Sequence, residues 1–459
     1  YFMVFNKNVF LSKEFRIWWD NVEQLSDYKK VVSCYEIKLT NYFTNLGFKY
    51  SSYVECKYKN NPTFYSFELL KKQRLPLVKK RVLLEDYETV KEHPLTTRSL
   101  DIYRFIKNNT NYDEGLIYSD ILATLPMQKI KSLFHLNFIL PTNYSIDNNN
   151  NCRIASILYI YYEDQVEICF KYASSLPENS DIYVVSSKAS TLNECKKFEY
   201  MLNGKKVIYR LKPNRGRDVS AYLVTCADVF ENYDLVCCLH DKKSPQTNPI
   251  IGQEFFYQCT ECLLMNSEYV QKLIEIFVSN PKLGLLMPPP PLFSVFKTCI
   301  GNEMSSNMEV LKGLYKVLNL SVPFDKHPCA PFGSMFWVRG SAVKPLFRHK
   351  WVYEDFLEEP LPIDGTISHG IERLYPAIVQ EAGYLAGWVM PDTFGSIYLE
   401  TLCSQYRSMT LANSLTPIRN LDVENSCIEN LFSIKNTRDK KRKVITILGV
   451  KFKFKRKKR

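Results

Sequence analysis

A stretch near the middle of the chain alternates apolar and polar segments in a way that predicts strand, helix and strand. An apolar run at 207–211 ends in the polar segment 212–216. The apolar residues that follow recur at helical spacings of three and four, at Val219, Leu223, Ala227 and Phe230. Asp218, just before them, is the predicted N-cap. A second apolar run at 235–239 leads into the polar residues 240–244. This order is typical of one crossover unit of a parallel sheet.

Polar clusters follow both predicted strands. The first is Asn-Arg-Gly-Arg-Asp at 214–218, and the second is His-Asp-Lys-Lys-Ser at 240–244. Taken singly, each also fits an ordinary turn or a solvated loop. Open α/β sheets bind ligands at the carboxyl ends of their strands, so we expect the two clusters to meet there. Together they would form a basic pocket of Arg215, Arg217, His240, Lys242 and Lys243, with Asp218 and Asp241 among them. Such a pocket suits a diphosphate, because cations neutralise it while carboxylates orient a metal or a sugar hydroxyl.

The flanking segments extend the same alternation. Strands are predicted at 157–162 and 182–187, with helices at 165–175 and 192–202 after them. Strands alternating with helices of this length imply an α/β fold with a Rossmann-like sheet.

Two later segments also carry candidate chemistry. A glycine turn at Gly333 and Ser334 precedes an apolar run, which a core strand with a tight entry turn would also explain. Further on, His369 and Glu372 are three residues apart on a predicted helix and share one face. One His and one Glu make only half a metal site, whereas a carboxylate beside a donor sugar can deprotonate an acceptor hydroxyl.

The first third of the chain shows less chemistry. An apolar strand is predicted at 1–5, followed by helices at 15–22 and 31–47. Glu36 in the second helix is its one acidic candidate, although a helix-surface or capping role explains it as well. Residues 64–140 are predicted to be mostly helical.

Four segments carry a resemblance to a known family. NRGRDVSAYL, YDLVCCLHDKKS, APFGSMFWVRG and DGTISHGIERLYP, in this order, resemble the signature segments of the rhamnan synthesis protein F family. The family comprises bacterial glycosyltransferases that assemble rhamnose-containing surface polysaccharides. The resemblance covers nearly the whole chain and implies a GT-A-type glycosyltransferase domain, preceded by a partial α/β domain and a helical connector.

The resemblance and the asparagine-rich composition of one segment together give a domain division. Its parts are the remnant of a first glycosyltransferase-like domain at 1–62, a mostly helical connector at 63–141, an asparagine-rich linker at 142–152, the GT-A-like domain at 153–434 and a basic tail at 435–459. Because the chain begins with Tyr1 rather than Met, we expect the opening half of the first domain to precede it.

The resemblance also implies roles for the site residues. Glu372 is expected to be the base of an inverting transferase, with Asp364 and Asp241 as further catalytic candidates. The segment 240–244 occupies the position of the usual Asp-x-Asp metal motif but has only one carboxylate. Asp241 is therefore a candidate ligand for Mg²⁺ or Mn²⁺. Alternatively, Lys242 and Lys243 would neutralise the diphosphate of the donor in place of a metal ion. The nucleotide-sugar is expected to contact Asn214, Arg215, Gly216, Arg217, Asp218, His240, Lys242, Lys243, Ser244, Gly333, Ser334, His369 and Arg373.

Charge and cysteine content bear on three other possibilities: nucleic-acid binding, a disulfide framework and a zinc site. The net charge of +12 over 459 residues arises in the tail, because 435–459 contains 13 basic residues and one acidic residue. The rest of the chain is neutral, which argues against a nucleic-acid-binding body. The 14 cysteines are scattered through apolar patterns, as expected for reduced thiols rather than a disulfide framework. The pair Cys259 and Cys262 lacks a second pair at zinc spacing.

The resemblance, together with the polar clusters at the strand ends, implies a glycosyltransferase that moves rhamnose from dTDP-rhamnose to a growing lipid-linked cell-surface polysaccharide. No apolar run approaches the roughly 20 residues that span a bilayer. The tail at 435–459 is expected to attach the protein to the anionic inner face of the bacterial plasma membrane, since basic residues and aromatic rings favour that surface. A solvated edge strand or disorder beyond Lys451 would also explain the tail. The alternative functions are a catalytically inactive scaffold of polysaccharide assembly and a nucleic-acid-binding protein acting through the tail.

Overall fold

The structure, a computed structural model, describes only part of the chain. The described residues are 3–53, 77–84, 99–142, 151–243, 249–292, 300–414, 432–436, 442–447 and 450–455. The chain divides into two compact units, Tyr1–Gly115 and Leu116–Arg459.

The first unit is helical where it is described. Its helices are α1 (Lys7–Phe10), α2 (Lys13–Asp20), α3 (Tyr28–Val31), α4 (Ile37–Asn45) and α5 (Ser99–Asn109), with a π-helical turn at Val32–Glu36 and a 3-10 turn at Lys80–Leu83. The helices predicted at 15–22 and 31–47 are confirmed. The strand predicted at 1–5 is wrong for residues 3–5, which have no regular secondary structure. They lead directly into α1, whose N-cap Asn6 accepts a hydrogen bond from the Asn8 N–H with its side chain.

An eight-stranded sheet forms the centre of the second unit. In chain order its strands are β1 (Asn137–Leu140), β2 (Ile154–Tyr159), β3 (Asp181–Ser186), β4 (Val207–Leu211), β5 (Leu235–His240), β6 (Leu283–Met287), β7 (Phe336–Arg339) and β8 (Leu385–Pro391). Across the sheet the order is β1-β8-β6-β7-β5-β2-β3-β4. Only β7 runs antiparallel to its neighbours, β5 and β6. The predicted α/β class, with a mostly parallel sheet, is confirmed.

Helices pack on both faces of this sheet. In chain order they are α6 (Glu114–Thr124), α7 (Met127–Leu133), α8 (Val166–Ala173), α9 (Ala189–Phe198), α10 (Arg217–Ser220), α11 (Ala227–Asn232), α12 (Pro249–Leu264), α13 (Ser267–Ser279), α14 (Met308–Val317), α15 (Ile367–Glu381) and α16 (Asp392–Ser414). Trp337 of β7 is buried in one cluster with Phe170 of α8 and Phe277 of α13. Its neighbour Phe336 contacts Tyr222 and Tyr375 instead. Since the side chains of successive strand residues point to opposite faces, these contacts show that both faces of the sheet are buried.

The sheet begins earlier in the chain than the pattern predicts. Strand β1 lies within the segment predicted as a connector, and it is the edge strand that pairs in parallel with β8. Four residues are too short a run to be distinguished from a loop by periodicity alone.

The helix after β4 starts two residues earlier than predicted. Gly216 is its N-cap, in the left-handed region at φ 70°, and the helix begins at Arg217, so the prediction of Asp218 as N-cap is wrong. The predicted helix is otherwise confirmed, but a π-helical turn at Ala221–Thr225 divides it into α10 and α11. Asp218 therefore lies in the first turn of the helix.

The C-terminal region forms a second, smaller sheet. Strands β9 (Phe432–Asn436), β10 (Arg442–Ile447) and β11 (Val450–Lys455) pair antiparallel in the order β11-β10-β9. Strand β11 is an edge strand of this sheet, and the predicted tail therefore has regular structure beyond Lys451. In the described part of the chain, no helix is both long enough and apolar enough to cross a membrane.

Candidate functional site

A cleft of about 680 Å³ opens at the carboxyl ends of the central strands. The chain leaves β2 for β3 on one side and returns to β5 on the other, so β2 and β5 flank the switch point of the sheet. Ligands of open α/β sheets bind at such a point.

The cleft brings together most of the residues predicted from the sequence. Eleven of them line it: Asn214, Arg217, Asp218, His240, Asp241, Lys242, Lys243, Gly333, Ser334, His369 and Glu372. Four do not line it: Arg215, Gly216, Asp364 and Arg373. Ser244 lies outside the described residues.

Arg215 was expected in the pocket but is directed elsewhere. Its Nε donates to the Phe356 carbonyl at 2.5 Å, and its Nη2 donates to the Glu354 carbonyl at 3.3 Å. Its Nη1 lies 3.3 Å from a carboxylate oxygen of Glu358. Lys212, buried beneath the turn, donates to the Arg215 carbonyl at 3.0 Å, and burial lowers its pKa to about 8. Arg215 therefore holds a neighbouring segment in place and does not supply charge to the cleft.

Arg217 lines the cleft, but its charge is already matched. Its Nε and Nη2 donate to the two carboxylate oxygens of Glu359 at 2.7 and 3.0 Å. The hydrogen bond from Arg217 holds the pKa of Glu359 below its usual range. Such a bidentate pair is strong and geometrically specific. An anionic ligand would have to compete with Glu359 for this guanidinium.

Asp218 differs from the other acidic residues of the cleft. Its side chain is partly exposed there, and within the described residues no hydrogen bond or ion pair engages its carboxylate. Both oxygens are therefore available to a ligand, and a carboxylate accepts readily from sugar hydroxyls.

His240 links the end of β5 to the glycine turn. Its Nδ1 lies 2.5 Å from the Asp241 carbonyl oxygen, and its Nε2 lies 2.5 Å from the Gly333 carbonyl oxygen. Both partners are backbone carbonyl oxygens, to which a ring N–H can donate. Gly333 has φ 84°, and an added Cβ would lie 2.5 Å from the Phe255 ring, so only glycine fits. The ring is therefore held between the end of β5 and the glycine turn.

The carboxylate of Asp241 points towards the backbone after β2 rather than towards the open part of the cleft. Its Oδ2 accepts from the backbone N–H groups of Tyr161 and Tyr162 at 2.9 and 2.6 Å. Burial raises its pKa to about 6. No three His, Cys, Asp or Glu side chains converge on a possible metal position within the described ranges. A donor set of one tethered carboxylate beside two lysines does not fit Mg²⁺ or Mn²⁺, which require several oxygen ligands.

The two lysines after β5 have different environments. Lys243 forms an ion pair with Asp164. Lys242 lies 4.3 Å from the centre of the Phe255 ring, and within the described residues no carboxylate pairs with it. Lys242 is therefore the cation most readily available to an anionic ligand.

Glu372 projects from the first turns of α15 towards the cleft. Its Oε2 accepts from the Gly333 N–H at 2.7 Å, and its Oε1 lies 3.1 Å from Nη1 of Arg373. The side chain is 14% exposed, which leaves it accessible from the cleft. Since each carboxylate oxygen has two lone pairs and one donor, each oxygen of Glu372 can still accept from a ligand.

The other predicted catalytic acid, Asp364, lies behind this layer. Burial opposes its ionisation, but hydrogen bonds from Asn307, Ser305 and Ser306 hold its pKa below its usual range. The Asn307 bond is 2.7 Å long. His369 caps its own helix, with Nδ1 2.8 Å from the Thr366 hydroxyl. Asp364 is therefore a structural anchor rather than a group that faces the cleft.

Comparison with known proteins decides the family. The sequence profile described as "Rhamnan synthesis protein F" matches residues 1–384, which include every residue that lines the cleft. The chain belongs to the rhamnan synthesis protein F family. It is also 31% identical over 172 residues to proteins named "Uncharacterized protein WxcX" from two strains of Xanthomonas campestris pv. campestris. That match covers 37% of this chain and 24% of each relative, so the chain spans well under half of their length. Family membership connects the protein with polysaccharide synthesis.

This rhamnan synthesis protein F member also lines its cleft with residues that the sequence did not indicate. They are Tyr159, Tyr161, Tyr162, Val219, Ser368 and the segment 359–363. The tyrosines carried a signal, because they lie at or just beyond the end of a buried strand, at the same edge as the polar clusters. The segment 359–363 carried none, since its position depends on the contact of Glu359 with the distant residue Arg217.

Proposed function

We propose that the protein is a glycosyltransferase that takes a sugar from a nucleotide donor bound in the cleft. The observation that carries the proposal is the meeting, at the switch point, of an available cation (Lys242), an open carboxylate (Asp218) and a separate, partly exposed glutamate (Glu372). The mostly parallel sheet, with the polar segment after β5, supports a GT-A-type arrangement. The domain would comprise the sheet of the second unit and its covering helices.

The donor diphosphate would lie against the Lys242 ammonium, beside the His240 ring. Fixed positive charge stabilises a leaving diphosphate where negative charge develops, and it does so without a metal ion. Asn214 and Asp218 would accept hydroxyl or base donors of the nucleotide. Tyr161 and Tyr162 would supply the aromatic surface on which a base or sugar ring packs.

Glu372 would act as the general base of an inverting transfer. The acceptor hydroxyl gives its proton to the Glu372 carboxylate while its oxygen attacks the anomeric carbon of the donor sugar. The bond from that carbon to the diphosphate oxygen breaks, and the nucleoside diphosphate leaves with the electron pair. The family description, which names rhamnan synthesis, supports rhamnose as the sugar. The donor would then be dTDP-rhamnose and the acceptor a lipid-linked glycan.

The tail at 435–459 would keep the enzyme at the cytoplasmic face of the membrane, where such an acceptor is found. Basic residues are concentrated in this tail, and each one near an anionic membrane surface contributes about 1 kcal/mol to the free energy of membrane binding. The three-stranded sheet of β9, β10 and β11 presents this composition in a regular register.

The test is a mass-spectrometric screen of sugar nucleotides for transfer or hydrolysis, combined with calorimetric binding of dTDP. Glu372→Gln should bind dTDP like the parent protein but lose turnover by roughly 100-fold, as expected for a lost general base. Turnover retained in Glu372→Gln would remove Glu372 from this role. Donor binding without any turnover in the parent protein would favour an inactive scaffold of the assembly machinery instead.

A further inference from the structure

Arg373 is buried directly behind Glu372, although the sequence predicted that it contacts the donor. It is 8% exposed and does not line the cleft. Its Nε donates to the Glu303 carbonyl at 2.8 Å, and its Nη1 donates to the His369 carbonyl at 2.9 Å. The same Nη1 lies 3.1 Å from Oε1 of Glu372, and Nη2 lies 4.0 Å from Oδ1 of Asp364. Two carbonyls therefore fix the guanidinium between two carboxylates.

The remaining contact of Glu372 completes this arrangement. The Gly333 N–H donates to its other oxygen at 2.7 Å, so each oxygen has one fixed donor. With one fixed donor on each oxygen, and one of them charged, the carboxylate is held in a single orientation. Asp364 is itself tied to Asn307 and Ser306, which gives the guanidinium a rigid neighbour on its far side.

We infer that Arg373 is a positioning residue, which holds the Glu372 carboxylate directed into the cleft, with Asp364 orienting the guanidinium from behind. The inference rests on the proposed function, since it matters only if Glu372 accepts a proton. An arginine suits this task better than a lysine, because its planar fork bonds several acceptors at once.

Other charged and titratable groups also surround Glu372 and contribute to its behaviour. On its own helix they are His369 and Tyr375, and from other elements they are Asp218, His240, Lys242 and Cys259. All of them stay unchanged when Arg373 is replaced, so a difference between the variant and the parent reports the guanidinium alone.

The experiment compares kcat and KM for the parent and Arg373→Gln, using donor transfer or hydrolysis. Removing the guanidinium should lower kcat by about 10- to 100-fold and leave KM near the parental value, because a misdirected carboxylate meets the acceptor proton less often. The affinity for dTDP should be unchanged. The matched control is Arg339→Gln, because Arg339 also donates to two backbone carbonyls, of Leu283 and Phe277, but lies outside the cleft lining. The control should keep the parental kcat.

Arg373→Lys is the second variant, for the case in which Arg373→Gln does not fold. It keeps the positive charge but has one donor nitrogen in place of the planar fork, so kcat should still fall while KM stays near the parental value. Parental kcat in either variant of Arg373, or weakened dTDP binding with unchanged kcat, would overturn the inference. If the parent protein turns over no donor, the proposed function fails, and the inference fails with it.

Discussion

Replacing Gly216 with alanine probes how the turn after β4 is built. At φ 70° this residue is in the left-handed region, and an added Cβ would lie 2.6 Å from Cγ of Phe356 and 2.8 Å from Cβ of Ser220. A left-handed backbone costs a non-glycine residue about 1 to 2 kcal/mol. Forcing an extra methyl group into a packed site costs about 1 to 3 kcal/mol more. We therefore expect Gly216→Ala to lower the free energy of unfolding by about 2 to 5 kcal/mol.

Gly204→Ala is the control that separates the two costs. Gly204 has φ 76°, but no atom lies within 4 Å of its added Cβ, so only the backbone cost of about 1 to 2 kcal/mol applies. The assay is urea unfolding followed by the fluorescence of the buried residues Trp337 and Trp351. Gly216→Ala should also weaken dTDP binding, because Phe356 belongs to the segment that leads into the cleft wall. Equal midpoints for the two variants would refute the packing argument.

Three further predictions follow from the charges. Lys242→Ala should weaken dTDP binding by about 1.5 to 3 kcal/mol in calorimetry. Lys243→Ala should cost less, because that ammonium already has a carboxylate partner; the reverse order would contradict the assignment. Burial raises the pKa of Asp241 to about 6, so its ionisation destabilises the fold as pH rises from about 4 to about 6. In Asp241→Asn, this pH-dependent loss of stability should be smaller by about 2 to 3 kcal/mol. The prediction is contradicted if the urea midpoint of the variant changes with pH as much as that of the parent. A chain ending at residue 434 should not sediment with anionic liposomes at physiological salt, whereas the full chain should; equal sedimentation, or tail-dependent binding to RNA alone, would exclude the membrane role.

Local patterns were sufficient to predict the class of the fold. The alternation of apolar runs and amphipathic segments predicted β2, β3, β4 and β5 with their helices, because burial of a strand or a helix face leaves a periodic trace in the sequence. The rule that strand ends meet at one edge then brought the residues after β4 and β5 into one cleft. The four motifs identified the family, which the profile match over residues 1–384 confirmed.

The sequence alone did not place the individual side chains. Whether a charged residue faces a ligand or a neighbouring segment depends on partners far away in the chain, as with Arg217 and Glu359, 142 residues apart. The same holds for Asp364, which is tied to Asn307 and therefore anchors the layer behind Glu372 rather than facing the cleft. Motif residues give the composition of a site, whereas long-range hydrogen bonds and ion pairs determine which charges remain available. Those contacts form only when the chain is folded, because no local pattern encodes a pairing between distant charges.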